Sequence, residues 1–240
     1  MSRIVYSIIL LFALLTVAFT PGDGGQQALQ SWKAGQVVSP KAVETFGVDR
    51  CFAAEPVSDR VFARMKGKSY PATCTVPRSQ LRYIRALHYD ADGNIRIGEM
   101  VANQAIAADL VSIFRQLYQA RYPIERMQLI DDYDADDEQS MRHNNTSCFC
   151  FRAVAGSKTL SHHARGMAVD INTLYNPYVK RRADGTLFVQ PATGRPYIDR
   201  TKTHPYTIRR GDLLHRLFTE HGFKWGGNWK SCKDYQHFEK

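Results

Sequence analysis

Residues 160–172 read LSHHARGMAVDIN and set two adjacent histidines, His162 and His163, ahead of an aspartate, Asp170. Imidazole and carboxylate together are a donor set that zinc takes in hydrolytic sites, where one coordination position stays open. Ligand atoms around a tetrahedral zinc stand about 2 Å from the ion and so roughly 3–3.5 Å from one another. His163 and Asp170 are seven residues apart. On one helix that spacing is about 10 Å of rise; on one straight strand an odd separation puts the side chains on opposite faces. The chain must therefore turn between them, and Gly166 is the residue free to make the turn. Beyond it the alternation is regular. Met167, Val169 and Ile171 take one face, and Ala168, Asp170 and Asn172 the other. A carboxylate on such a strand needs a cation or donors to stay charged.

A zinc site needs a third donor, and His88, His143, His204, His215, His221 and His237 are the candidates. His237 stands out because Asp234 precedes it by three, in DYQHFE. An aspartate that near could reach a water at the metal without binding the metal itself. Zinc lowers the pKa of its water from about 15.7 to about 7, on the order of 12 kcal/mol towards hydroxide. A neighbouring carboxylate can take the remaining proton and pass it to a leaving amine. The His-Glu-x-x-His helix, the phosphate-binding loop, the dinucleotide glycine fingerprint and the serine-nucleophile elbow are all absent. A Ser-His-Asp hydrolase built from Ser161 or Ser157 gives His237 no role.

The elements that must position these residues follow from local patterning. Residues 81–103 read as two strands around the Asp92-Gly93 turn. Residues 105–123 carry Ile106, Leu110, Ile113, Phe114 and Leu117 at helical spacing and stop at Pro123. Residues 127–133, 146–154 and 166–172 read as strands, and residues 174–207 as a long turn-rich stretch. Asp212 can cap a helix over residues 213–221 that ends at Gly222, and FKWGGNW and QHFEK close the chain as strand-like pieces. Strands and helices mix without βαβ alternation, which predicts an α+β fold. The acidic run DDYDADDE (131–138) lacks the glycine and closing glutamate of a helix-loop-helix calcium site and reads as a solvated loop.

The chain has 240 residues, 44% hydrophobic and 23% charged, and a formal net charge of +9. That is globular composition, and the positive balance suits an anionic polymer or membrane surface. The basic residues are scattered and form no nucleic-acid-binding motif, so no nucleic-acid partner is expected. Met1-Ser2-Arg3, an apolar run over residues 4–19 and the break Pro21-Gly22 have the layout of a secretory signal peptide or an uncleaved N-terminal anchor, with Thr16 and Ala18 at a loose cleavage site. The expected organisation is a leader over residues 1–20, a polar linker over 21–41 and one domain over 42–240, exported to the periplasm or cell envelope. Membrane contact is expected only through an uncleaved leader. Export permits disulfides among Cys51, Cys74, Cys148, Cys150 and Cys232, with Cys51–Cys74 the first expectation.

Ser161-x-His163-x-x-Gly166-x-Ala168-x-Asp170, followed near the C-terminus by Asp234-x-x-His237, resembles the zinc D-Ala-D-Ala carboxypeptidase family. That family includes the vancomycin-resistance carboxypeptidases and dipeptidases and the phage L-alanyl-D-glutamate endolysins. The resemblance spans about residues 42–240 through GKSY (67–70), LRY (81–83), DDYDADDEQSM (131–141), NNTSCFCFR (144–152), DINTLYNPYV (170–179) and GFKWGGNWKSCKDYQHFE (222–239). It implies a small antiparallel sheet carrying a zinc site and flanked by helices, as in the hedgehog signalling domain. It assigns His163 rather than His162, with Asp170 and His237, to Zn2+. Asp234 matches the catalytic base, Arg152 an arginine that steadies the oxyanion, and Ser161 a serine near the substrate. Residues 174–207 would form small strands and one wall of the groove, with Tyr175, Asn176 and Tyr178 near its start either facing substrate or pinning the loop, and Trp225 and Trp229 either lining the groove or packing under the final strands. The implied function is hydrolysis of peptidoglycan stem peptides by a monomer, foremost as a D-alanyl-D-alanine carboxypeptidase. L-alanyl-D-glutamate endopeptidase activity and a non-catalytic zinc-containing binding module are the alternatives.

Overall fold

A computed structural model describes residues 23–154 and 159–240. The leader over residues 1–20 and Ser157 lie outside the described residues. The helices are α1 (Asp23–Ser31), α2 (Pro40–Phe46), α3 (Asp59–Met65), α4 (Gln104–Gln119), α5 (Asp137–Arg142) and α6 (Leu213–Glu220). The strands are β1 (Val37–Val38), β2 (Ala53–Pro56), β3 (Leu81–Tyr89), β4 (Ile95–Asn103), β5 (Arg126–Met127), β6 (Asn145–Thr146), β7 (Ala168–Asp170), β8 (Tyr178–Arg181), β9 (Leu187–Gln190), β10 (Lys224–Trp225), β11 (Lys233–Asp234) and β12 (His237–Glu239). The fold is α+β, with helices set against small, mostly antiparallel sheets. None of the described helices is long and apolar enough to cross a membrane.

The β3–β4 hairpin is the frame. Its turn is set by Asp90, whose carboxylate accepts from the Asp92 and Asn94 backbone N–H groups and from Arg96 Nε, and by Gly93 at φ +81°. Side chains pack on both faces of the hairpin, so its strands are nearly continuous hydrophobic runs, with Leu81, Ile84, Leu87 and Ile97 fully buried. Helix α4 is capped by Asn103, which accepts from Ala105 N–H. It buries Ile106, Leu110, Ile113, Phe114 and Leu117, the five positions of its apolar stripe. Helix α6, capped by Asp212, brings Phe218 against Phe114 and Phe238.

Two small sheets sit beside this frame. One has the order β10-β12-β7, the other β11-β8-β9. In the first, Val169 and Phe238 face each other in register and are fully buried in the main core. Pleating then sends their neighbours, Asp170 and His237, to the opposite face.

Several expectations are corrected. The polar linker over 21–41 is, from Asp23 on, helix α1 and strand β1, and Leu29 and Trp32 are buried in the core. Residues 127–133 end as a strand at Met127 and continue as a 3-10 turn, Ile130–Tyr133. Residues 146–154 pair only as β6 and isolated bridges at Ser147 and Ala153. No disulfide forms among the described residues. Cys51 is buried with its thiol towards the Gly47 carbonyl, and Cys74 points to the Val76 carbonyl. The acidic run is only partly solvated, because Asp131 is buried, accepting from Ser69 N–H and Oγ–H, and Asp137 turns inward to Arg152.

Candidate metal centre

His163 opens a 3-10 turn, His163–Arg165, whose first free N–H, that of Ala164, donates to Ser161 Oγ at 3.1 Å. Gly166 ends it at φ +67°, and a side chain there would meet Asn103 N at 2.7 Å. The left-handed conformation and the close backbone approach both require glycine. This turn carries the chain from His163 into β7, and so joins two residues that neither a helix nor a straight strand could bring together. Asp170 and His237 then meet as register partners across β7 and β12.

The three side chains converge. His163 Nε2 lies 3.2 Å from His237 Nδ1 and 3.2 Å from Asp170 Oδ2, and His237 Nδ1 lies 2.9 Å from Asp170 Oδ1. These are the separations of atoms sharing one tetrahedral ion. The outer ring nitrogens are both held. His163 Nδ1–H donates to the Cys148 carbonyl at 2.7 Å, and His237 Nε2–H to Glu239 Oε2 at 3.2 Å. The Cys148 carbonyl can only accept, so the His163 lone pair is on Nε2 and turned inwards, whereas His237 faces a carboxylate from each ring nitrogen, Glu239 at Nε2 and Asp170 at Nδ1. Two inward ring nitrogens and a carboxylate at this range need positive charge between them, which a proton on His237 Nδ1 supplies and which a divalent ion would supply in its place. Burial raises the Asp170 carboxyl, but the flanking His163 and His237 imidazoles hold it well below the usual carboxylate range. Burial likewise opposes charge on His237, yet hydrogen bonds to Asp170 and Glu239 push its ring up to about 10. The donor set fits zinc.

Asp234 leaves β11 beside the trio. Its Oδ1 is shielded from solvent and has no hydrogen-bond partner, and burial pushes its carboxyl up to about 7 against the pull of His237. Gly226 makes room for it: a Cβ there would stand 2.7 Å from the Asp234 carbonyl oxygen, 2.8 Å from Asp234 Cβ and 3.3 Å from His237 Cβ. Arg152 is held by Asp137, with Nε 2.5 Å from Oδ2. Burial raises the Asp137 carboxyl against the pull of Arg152, and Asp137 in turn holds the Arg152 guanidinium above its usual value against burial.

These residues open on a cleft of about 530 Å³, lined by Asp137, Arg152, Ser161, His163, Asp170, Tyr178, Trp229, Asp234, His237 and Glu239 among others. Two expected substrate contacts are corrected. Tyr175 does not line the cleft; its ring stacks on His204 at 3.7 Å and packs on Tyr197 and Tyr206. Trp225 is buried in the core, with Nε1–H donating to the Tyr235 carbonyl and its ring against Phe238. Trp229 is the tryptophan at the cleft, its ring 5.3 Å from that of His237. Asn176 ties down the loop, holding Arg200 and the Ile208 N–H. His162 also lines the cleft, but its Nε2 reaches only Glu239, at 3.8 Å. Sequence reasoning missed Glu239 and Asp137. The signal for Glu239 was its place two residues after His237, on the same strand face.

A family model described as D-alanyl-D-alanine carboxypeptidase matches residues 155–240, the segment that contributes His163, Asp170, Asp234 and His237. The match covers about the last third of the chain and agrees there with the resemblance read from the motifs. No curated protein and no solved structure matches this chain.

Proposed function

We propose that the protein is an exported zinc peptidase that removes the terminal D-alanine from peptidoglycan stem peptides. One observation carries the reading: the convergence of two imidazole nitrogens and a carboxylate beside a buried Asp234 whose Oδ1 has no hydrogen-bond partner, on the wall of an open cleft. His163, Asp170 and His237 would hold the ion, which supplies, when bound, a Lewis acid and acidified water. Glu239 keeps the His237 proton on Nε2 and so turns Nδ1 inwards. Asp234, with its carboxyl near neutrality, takes the proton of the attacking water and delivers it to the departing amide nitrogen. Arg152, kept charged by Asp137, faces the carbonyl oxygen as negative charge develops there; one such donor contributes about 3–4 kcal/mol. A non-catalytic zinc-containing module would need neither Asp234 nor Arg152. Export rests on the N-terminal sequence, and the net charge of +9 suits an anionic wall.

The test is to incubate the purified protein with defined muropeptides, with and without a chelator, and weigh the products. Loss of one alanine from pentapeptides ending in D-Ala-D-Ala, abolished by chelation and restored by zinc, is the expected result. Intact peptides throughout would refute the reading.

A further inference from the structure

The cleft floor beyond the metal trio is a regular surface. Strand β8 pairs with β9 so that Tyr178 opposes Gln190 and Lys180 opposes Phe188. On its other side β8 pairs with β11, and Tyr178 opposes Asp234. Tyr178 and Lys180 are two apart and share a face. All five residues, and Cys232 two before Asp234, line the cleft. The floor therefore has two rows, Asp234–Tyr178–Gln190 and then Cys232–Lys180–Phe188, about 7 Å further along the strands.

The charges on this floor are unequal. Arg152 is paired with Asp137, and His162 lies against Glu239. Lys180 is exposed on the cleft wall and is, among the described residues, the cleft cation without a carboxylate partner. It stands one row from the proposed proton carrier. A lysine stem reaches about 6 Å, and the carbon of a carboxylate on the leaving residue lies roughly 4 Å from the scissile carbonyl carbon. The reach and the offset match a negative charge carried one residue past the bond that breaks.

We propose that Lys180 is the anchor for a carboxylate on the α-carbon of the leaving amine, and so selects substrates in which that group is free. The assignment rests on the peptidase reading above. Two stem-peptide groups share this chemistry: the terminal carboxylate of D-Ala-D-Ala, and the α-carboxylate of a D-glutamate whose chain continues through its side chain. Lys180 gives affinity rather than chemistry, so its loss moves KM and leaves kcat.

The experiment measures binding in the zinc-loaded Asp234→Asn protein by calorimetry, with each peptide as the free acid and as the α-amide. The free acid should bind about tenfold tighter, the scale of one charge-assisted contact at an exposed lysine. Adding Lys180→Met should collapse that ratio to below about twofold, and Lys180→Arg should keep it. The arm showing the ratio, D-Ala-D-Ala or L-Ala-D-Glu, names the source of the carboxylate. In the otherwise unaltered enzyme, Lys180→Met should raise KM on the free acid about tenfold with kcat within about twofold. Equal binding of acid and amide, or a ratio that survives Lys180→Met, overturns the assignment even if the enzyme hydrolyses both peptides. A Lys180-dependent ratio in a protein that hydrolyses neither leaves the carboxylate site standing and removes the peptidase reading instead.

Discussion

Gly226→Ala tests how tightly the base is built against the metal trio. The added methyl would stand 2.8 Å from Asp234 Cβ and 2.7 Å from the Asp234 carbonyl oxygen, with His237 Cβ at 3.3 Å. Carbon atoms settle at about 3.5–4.0 Å, so Asp234 must retreat by roughly 0.7 Å or more. Neither close neighbour is the end of a flexible side chain; one is backbone and the other is fixed to it. Overpacking of this kind costs about 1–3 kcal/mol, and misplacement of a catalytic group by about 1 Å costs on the order of a hundredfold in rate. The assay is kcat/KM on a stem pentapeptide, beside zinc affinity by chelator competition and a thermal melt. A fall of about a hundredfold in kcat/KM is expected, with zinc affinity falling less, because His237 is the more distant neighbour. Gly24→Ala, whose Cβ meets nothing within 4 Å, is the control. Turnover within about threefold of the unaltered enzyme would refute the packing argument and the placement of Asp234 with it.

Asp234→Asn should retain one zinc per chain and lose about 10²–10⁴ in kcat, since the amide cannot carry the proton; unimpaired turnover rules out the base. Glu239→Gln should weaken zinc affinity about 10–100-fold by loosening the His237 tautomer, measured by chelator competition. His88 is buried with Nε2 unpartnered, and burial lowers its ring from 6.5 to about 4. A depressed histidine contributes its full stability above pH 6.5 and loses it as pH falls towards 4. The difference in unfolding free energy between the unaltered protein and His88→Leu should therefore change by about 3 kcal/mol between pH 7 and pH 4. A difference flat in pH would show that His88 takes up its proton in the folded state without cost.

What was legible in the sequence is what repeats locally. The hairpin of residues 81–103 and the helix after it carry long patterns and a turn of fixed chemistry, and both form, though the helix ends at Gln119 and not at Pro123. Asp170 was legible because Val169 and Ile171 alternate around it and are buried on the other face. Strands of two or three residues, such as β5 and β6, have no period to read. Helix α1 was hidden by its Gly-Gly-Gln-Gln composition, since the apolar residues that anchor it come late, Ala28 and Leu29 near its end and Trp32 just beyond it. Aromatic residues near a motif cannot be sorted into wall or core without the chain's path. Tyr175 and Trp225 pack away from the cleft, whereas Trp229, four residues after Trp225, lines it. Asp137 was lost among like neighbours, because composition cannot tell which carboxylate of an acidic run turns inwards to an arginine.

The central claim is that His163, Asp170 and His237 grip one divalent ion. Diffraction from crystals grown with zinc, recorded on either side of the zinc absorption edge, tests it most directly. The expected result is one anomalous peak about 2.0–2.2 Å from His163 Nε2, His237 Nδ1 and an Asp170 oxygen. Zinc bound elsewhere, or no peak between these three side chains, would contradict it.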